Sequence, residues 1–268
     1  MSQNPSIPIN TFSKADAAQL IEVARQKGWE LPHQGQSASG RPLPILQKRS
    51  SSDDAPVVLL TTGIHGDEPA GPLAVLHCLQ NDLFDPRCHW LLSPLGNPDG
   101  LAKASRFNAD GIDINRDFKH THTVEARFLK NAYRQLPMPN LHLSLHEDWE
   151  YPQGYLYEIN TGTLPSLADP LLDCIEREVG LSDAELLDGH TPTRRGFICH
   201  ESTPDEPDGW PEAIWLVRTF PLLSYTLETP SGQPPKQRIA CHCAFIQQAA
   251  KELLKVCSRV TNNENGMV

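Results

Sequence analysis

The sequence predicts an α/β fold, a layered sheet built within one domain. Short apolar, β-branched runs at Val57–Leu60, His89–Leu95, Leu141–Leu145 and Leu222–Leu227 alternate along the chain with stretches of helical period. With 268 residues and 39% hydrophobic content the chain can bury one large core. No repeat, low-complexity tract or linker divides it. The domain is expected to take in residues 1–268, with 1–12 and 261–268 as flexible tails.

The elements follow in order. Ser13 is a candidate cap for a helix from about Lys14 to Lys27, with Ala17, Leu20, Ile21 and Ala24 on one face and Gly28 closing it. From Trp29 to Arg49, prolines, glycines and short apolar runs predict strands and turns, among them Pro42–Gln47. Ser50–Pro56 is a polar connection. Val57–Leu60 is a buried strand that Gly63 ends, and Gly71–Leu79 is a helix with Leu73, Leu76 and Leu79 inward. His89–Leu95 is the next strand, closed by the turn Gly96-Asn-Pro-Asp-Gly100. Ala102–Phe118 has little period and is rich in Asn, Asp, Gly and Arg, as a loop that carries function is. Thr123 caps a helix of about Val124–Gln135. Leu141–Leu145 is a strand with His146-Glu-Asp148 just beyond it, and Tyr155–Ile159 is another. Ser166 opens a helix to about Val179, Leu186–Pro211 is poorly patterned, and Pro211–Arg218 reads as a short helix. Leu222–Leu227 is a strand ending at Glu228, and Pro235–Val260 is a long amphipathic helix.

Composition excludes several classes of function. A formal charge of −10 argues against nucleic acid or an anionic membrane as the main partner, though a local arginine cluster can still meet an anionic small substrate. No apolar run approaches the roughly 18 residues of a membrane-spanning helix. Met1–Phe12 lacks the basic start and apolar core of a signal peptide. The seven cysteines form no regular framework, so free thiols and a cytoplasmic location are expected.

The reactive residues gather at strand ends. His65-Gly-Asp-Glu68 follows the Val57 strand, and Pro69 favours an extended Glu68 and then a helix start. An imidazole and a carboxylate three residues apart on a turn can reach one metal ion, although the pair alone is a weak signal that fits a solvated loop better. The other three strands end near Asn97, His146 and Glu228, and ligand sites of open α/β sheets lie outside the carboxyl ends of their strands. His146 then completes a His2Glu set, His65, Glu68 and His146, with a fourth position open for water. Glu228 is placed as a general base beside it, with Glu147 as its substitute. Arg106, Asn115 and Arg116 suit capture of a carboxylate or a developing oxyanion. Each of these also fits an ordinary charged surface. Cys241-His-Cys243 looks like a metal cluster, but neighbours on a helix point in different directions, so core packing is expected. His120-Thr-His122 and Cys199-His200 are left as surface or loop residues.

Gly63-Ile-His-Gly-Asp-Glu68, Asn97-Pro-Asp-Gly100, Gly111-Ile-Asp-Ile-Asn-Arg116, a late strand ending in His146, and Thr226-Leu-Glu-Thr-Pro230 stand in the order seen in the zinc carboxypeptidase family. Ser39-Gly-Arg-Pro-Leu43 also resembles an early strand segment of that family. The resemblance implies a three-layer α/β/α domain with a mostly parallel or mixed central sheet. It implies one Zn2+ per chain, held by His65, Glu68 and His146. It gives Glu228 as general base, Arg106 as the group on the scissile carbonyl, Asn115 and Arg116 as the grip on a terminal carboxylate, and Asp113 as the partner orienting His65. The digestive members carry a tyrosine about twenty residues before the glutamate, where this chain has Glu206 and Trp210; Tyr155 and Tyr157 are the candidate substitutes. Asp67 is more like the bacterial murein peptide amidases. The implied activity is hydrolysis of the C-terminal amide bond of a small peptide. The rivals are an N-acyl amino acid hydrolase of the aspartoacylase or succinylglutamate desuccinylase type and an inactive binding module. The segment from Gly189 to Ile214 is expected to supply much of the pocket lining.

Overall fold

The computed structural model describes Phe12, residues 14–200 and residues 209–265. Chain order is α1 (Lys14–Gln26), β1 (Glu30–Gln36), β2 (Pro42–Lys48), β3 (Val57–Thr62), α2 (Ala70–Gln80), β4 (His89–Ser93) and a short α3 (Pro98–Leu101). A single 3-10 turn over Ile114–Arg116 precedes α4 (Val124–Tyr133), β5 (Leu141–Asp148), β6 (Tyr155–Asn160) and α5 (Ala168–Glu178). Then come β7 (Phe197–Cys199), α6 (Glu212–Thr219), β8 (Leu223–Pro230) and α7 (Pro235–Asn265).

The strands form one mixed sheet in the order β1-β2-β4-β3-β5-β8-β6-β7. The apolar runs seen in the sequence are its centre: β4, β3, β5 and β8 are mutually parallel. Strands buried on both faces read as near-continuous hydrophobic runs, which is why these were legible. Alternation divides the core. Val58 and Leu60 pack with residues of α1, α2, α5 and α7, while Leu59 packs with residues of α4 and α6. The sheet therefore lies between two helical layers, as the resemblance implies.

Three boundaries differ from the sequence reading. β5 and β8 continue through His146 and Glu228, because the parallel ladder between them holds His146 opposite Glu228 and runs on to Asp148 opposite Pro230. Both residues are thus strand residues that share a face with Ser144 and Thr226. β7 lies in a stretch that showed no pattern, and its three residues are too few to display a period. α7 runs to Asn265, so residues 261–265, expected as tail, are helical. The expected cap Ser13 and the tail residues 1–11 and 266–268 lie outside the described residues.

Candidate metal centre

Two glycines set the turn that carries His65. Gly63 has φ +67°, a left-handed conformation that lets the chain leave β3 abruptly. A Cβ on Gly66 would fall 1.9 Å from the carbonyl carbon of Gly100, so only glycine allows the His65 turn to lie against the Asn97-Pro-Asp-Gly turn. Backbone bonds join the two turns: Asn97 N–H donates to the Gly63 carbonyl at 2.7 Å and Gly66 N–H to the Ser105 carbonyl at 3.0 Å. Buried Asp99 accepts from the Ser39 N–H at 3.2 Å and pairs with Arg41 at 3.1 Å. The Ser39-Gly-Arg segment thus braces the second turn, which braces the first.

The three expected ligands meet. His65 Nδ1 lies 2.6 Å from one oxygen of Glu68, and His146 Nδ1 lies 2.9 Å from the other. All three side chains are buried, and a donor atom from each lies within 4.8 Å of the others. Two imidazole nitrogens and a carboxylate are a zinc-type donor set. Burial acts to discharge His65, but Glu68 and Asp113 outweigh it and raise its pKa to about 9. Burial likewise acts to neutralise Glu68, but His65 and His146 hold its pKa down at about 2. Burial depresses His146 despite Glu68. The cluster without metal is therefore a carboxylate between imidazoles, and a cation bound there displaces a proton.

Arg106 and Asp113 stand behind His65. Arg106 Nε donates to Asp113 Oδ2 at 2.9 Å, and its Nη1 lies 3.4 Å from His65 Nδ1. Asp113 Oδ1 faces the other ring nitrogen, Nε2, at 3.4 Å, too far and too angled for a good bond, so that nitrogen is buried without a partner. Asp113 also caps the 3-10 turn through the Asn115 N–H at 2.9 Å. The Asn115 side-chain oxygen accepts from the Glu212 N–H at 2.9 Å, and Arg116 donates to the Asn115 carbonyl at 3.1 Å. Arg106, Asn115 and Arg116 all border the same cavity as the three ligands.

That cavity, about 370 Å³, has a second wall of opposite charge. Across the sheet from His65, Tyr155 donates to Asp148 at 2.5 Å and Tyr157 to Asp188 at 3.0 Å. Tyr151, Tyr155 and Tyr157 form an edge-to-face ladder with ring centroids 5.6 and 5.7 Å apart. Half-buried Glu228 lies between this wall and the ligands. Burial, and then Glu68, Asp148 and Asp188, push its carboxyl well above the usual range.

Every site residue expected from the sequence borders the cavity except Asp113, which lies behind His65. Glu147 is not a spare base: its carboxylate accepts from the Ala70 N–H at 2.7 Å and pairs with Arg238. The Cys241-His-Cys243 residues diverge as expected, with Cys241 near Cys174 of α5, His242 on Thr229 and Cys243 on the Ala74 carbonyl. His200 is the loop residue expected, and it also borders the cavity, with His190 5.1 Å away ring to ring. Of the segment from Gly189 to Ile214, His190, His200, Pro211, Ala213 and Ile214 line the cavity, and Tyr155 and Tyr157 of β6 line it too. Glu206 lies outside the described residues, and Trp210 does not border the cavity. The acid wall was missed because Asp148 and Asp188 are 40 residues apart, and Asp188 lies in the poorly patterned stretch from Leu186 to Pro211.

The zinc carboxypeptidase family model matches residues 20–135. The crystal structure of a Shewanella denitrificans protein described as a candidate metallopeptidase superposes with a TM-score of 0.73 at 26% identity, covering 92% of this chain and 97% of that one. In sequence over residues 20–135, and in fold over most of its length, the chain is similar to the zinc carboxypeptidase family. Carboxypeptidase 2 of Trichophyton rubrum is 29% identical over 147 residues, 48% of this chain and 27% of that protein. Murein peptide amidase A of Escherichia coli is 33% identical over 86 residues, 32% of this chain and 34% of the amidase. The matches therefore span about a quarter to a third of those relatives' own lengths.

Proposed function

We propose that this zinc carboxypeptidase homologue hydrolyses the C-terminal amide bond of a small peptide, a murein peptide being the leading candidate. The observation that carries the reading is the convergence of His65, Glu68 and His146 within 4.8 Å at the rim of a cavity that also holds Glu228 and the arginines. Zinc bound there supplies Lewis-acid polarisation of the scissile carbonyl and lowers the pKa of a water. Arg116 and Asn115 hold the terminal carboxylate, and Arg106 donates to the oxygen on which charge develops. Glu228 takes a proton from the attacking water and delivers it to the departing amine. A carboxyl group whose pKa burial and neighbouring carboxylates raise holds a proton more readily, which suits its delivery to the departing amine.

The acid wall favours a peptide over an N-acyl amino acid. Asp148, Asp188 and the tyrosines attract an ammonium through carboxylates and ring faces, and an N-acyl amino acid has no backbone ammonium to offer them. The murein reading rests on the similarity to murein peptide amidase A and on this demand for a substrate with both charges.

Metal analysis tests the centre: one zinc per chain is expected, and His65→Ala should lose it. Retention of stoichiometric zinc by that variant would falsify the ligand assignment. Turnover of a murein tripeptide against N-acetyl- and N-succinyl-amino acids tests the substrate, and preference for the acylated amino acids reverses the choice between the two activities. Zinc binding without turnover of any of them favours a binding module.

A further inference from the structure

The helix behind the sheet carries two buried polar side chains that point at the metal centre. Along most of its buried length α7 packs residues such as Phe245, Ile246, Ala249 and Leu253 into the core. Near its start, Arg238 and His242 are 5% and 0% exposed, one turn apart and so on one side of the helix. Side chains alternate across a strand, so the residues after His146 and Glu228 face α7 while His146 and Glu228 face the cavity. Those residues are Glu147 and Thr229. Arg238 pairs with Glu147, and His242 Nε2 lies 3.0 Å from Thr229 Oγ1.

Glu147 ties together two strand ends that supply different ligands. One oxygen accepts from the N–H of Ala70, two residues after Glu68, and the other meets Arg238. Its own N–H donates to the Glu68 carboxylate at 3.1 Å. Arg238 is fixed in turn by Nε, which donates to the Gln233 carbonyl at 2.9 Å. A buried ion pair is a weak source of net stability, because desolvation offsets the attraction. Its geometric effect is definite: it holds the segment after Glu68 against β5 beside His146.

We propose that Arg238 is a positioning residue that acts through Glu147 to present Glu68 and His146 as a preformed donor pair. The inference rests on the reading that these residues hold zinc. Partners of ligands that lie behind them typically contribute roughly 10–100-fold to metal affinity.

The test uses the double variant R238M/E147Q, which removes both charges and nearly conserves volume, and R238K, which keeps the charge but cannot bridge Glu147 and Gln233 as a planar fork. Zinc affinity is measured by chelator competition, ligand geometry by the absorption spectrum of the cobalt-substituted protein, and stability by urea unfolding of the metal-free chain. The expected result is a folded double variant with zinc affinity reduced roughly 10–100-fold and an altered cobalt spectrum. R238K should fold and show a smaller loss in the same direction. A purely structural role shifts the urea midpoint and leaves zinc affinity and spectrum at their wild-type values; that outcome, in either folded variant, overturns the inference alone. Wild-type protein that binds no zinc overturns the metal reading, and this inference with it.

Discussion

Glu68 faces two imidazoles and lies within reach of an arginine, whereas Glu228 shares its end of the cavity with Asp148, Asp188 and two tyrosines. Burial acts on both carboxylates in the same direction. The neighbours decide the outcome, leaving Glu68 ionised with a pKa of about 2 and lifting Glu228 well above the usual range. These opposite shifts agree with the proposed roles, Glu68 as a cation ligand and Glu228 as the proton carrier. The histidines repeat the lesson. His65, beside two carboxylates, rises to about 9, while His142 and His242, buried among hydroxyls, fall to about 3.

The largest break in this comparison is Glu228→Gln. Glutamine keeps the size and hydrogen bonding but cannot shuttle a proton. Turnover should fall by at least ~10²–10⁴-fold, the usual contribution of general acid–base catalysis. Zinc content and substrate affinity by calorimetry should be retained, because Glu228 is not among the clustered donors. Turnover within a few-fold of wild type would remove Glu228 as the base, and Glu147, locked to Arg238, would not replace it.

Arg116→Ala probes the cationic side of the cavity. Charge-assisted bonds to a carboxylate contribute roughly 1.5–3 kcal/mol, so kcat/KM should drop roughly ten- to a hundredfold for peptides with a free C-terminus. The C-terminally amidated peptide is the control. If wild type cuts both equally, recognition of a terminal carboxylate is wrong.

The buried histidines give the comparison a pH dependence. His142 lies between Thr61 and Ser224, at 3.0 and 2.8 Å, and burial followed by the charge of His146 depresses it from 6.5 to about 3. His242 is depressed to the same level by burial, then Arg238 and His146. Folded, both stay neutral between pH 6.5 and 3, while the unfolded chain takes up protons below its ordinary value of 6.5. Their contribution is therefore undiminished above pH 6.5, and stability falls as pH drops toward 3. The slope is about 1.4 kcal/mol per pH unit for each. Urea unfolding of metal-free protein at pH 7 and pH 5 should show the loss, and His142→Gln should lessen it. An unchanged slope in that variant would mean His142 is not the proton acceptor.

The ligand side of the site was legible in the sequence and the acid wall was not, for a physical reason. His65, Glu68 and the Asn97 and Asn115 turns lie in contiguous segments whose glycines, prolines and caps leave a local imprint. The buried strands that aim His146 and Glu228 show as apolar runs. The wall is made by tertiary juxtaposition: β6 pairs antiparallel with β8, bringing Tyr155 opposite Glu228, and a separate loop brings Asp188 to Tyr157. Arg238 was equally hidden, since one arginine in an amphipathic helix reads as its solvated face until the helix is docked.

The smallest expected effect tests the wall itself. Asp188 has φ +45°, a conformation that asparagine tolerates well, and asparagine can still accept the Tyr157 hydroxyl. Asp188→Asn and Asp148→Asn therefore remove charge with little change of shape. Each also relieves the repulsion on Glu228, which alters turnover of every substrate and would confuse a single rate. A ratio cancels that common effect: kcat/KM for a peptide with a free amino group over kcat/KM for its N-acetylated form. Because Asp188 is exposed, solvent screens its attraction, and contributions of 0.2–1 kcal/mol are typical of such contacts. The ratio should fall by no more than about fivefold for Asp188→Asn. Asp148→Asn should match or exceed this, since Asp148 is half-buried. A wild-type ratio at or below one would show that the wall does not recognise an ammonium, and the argument from charge against N-acyl amino acid substrates would go with it.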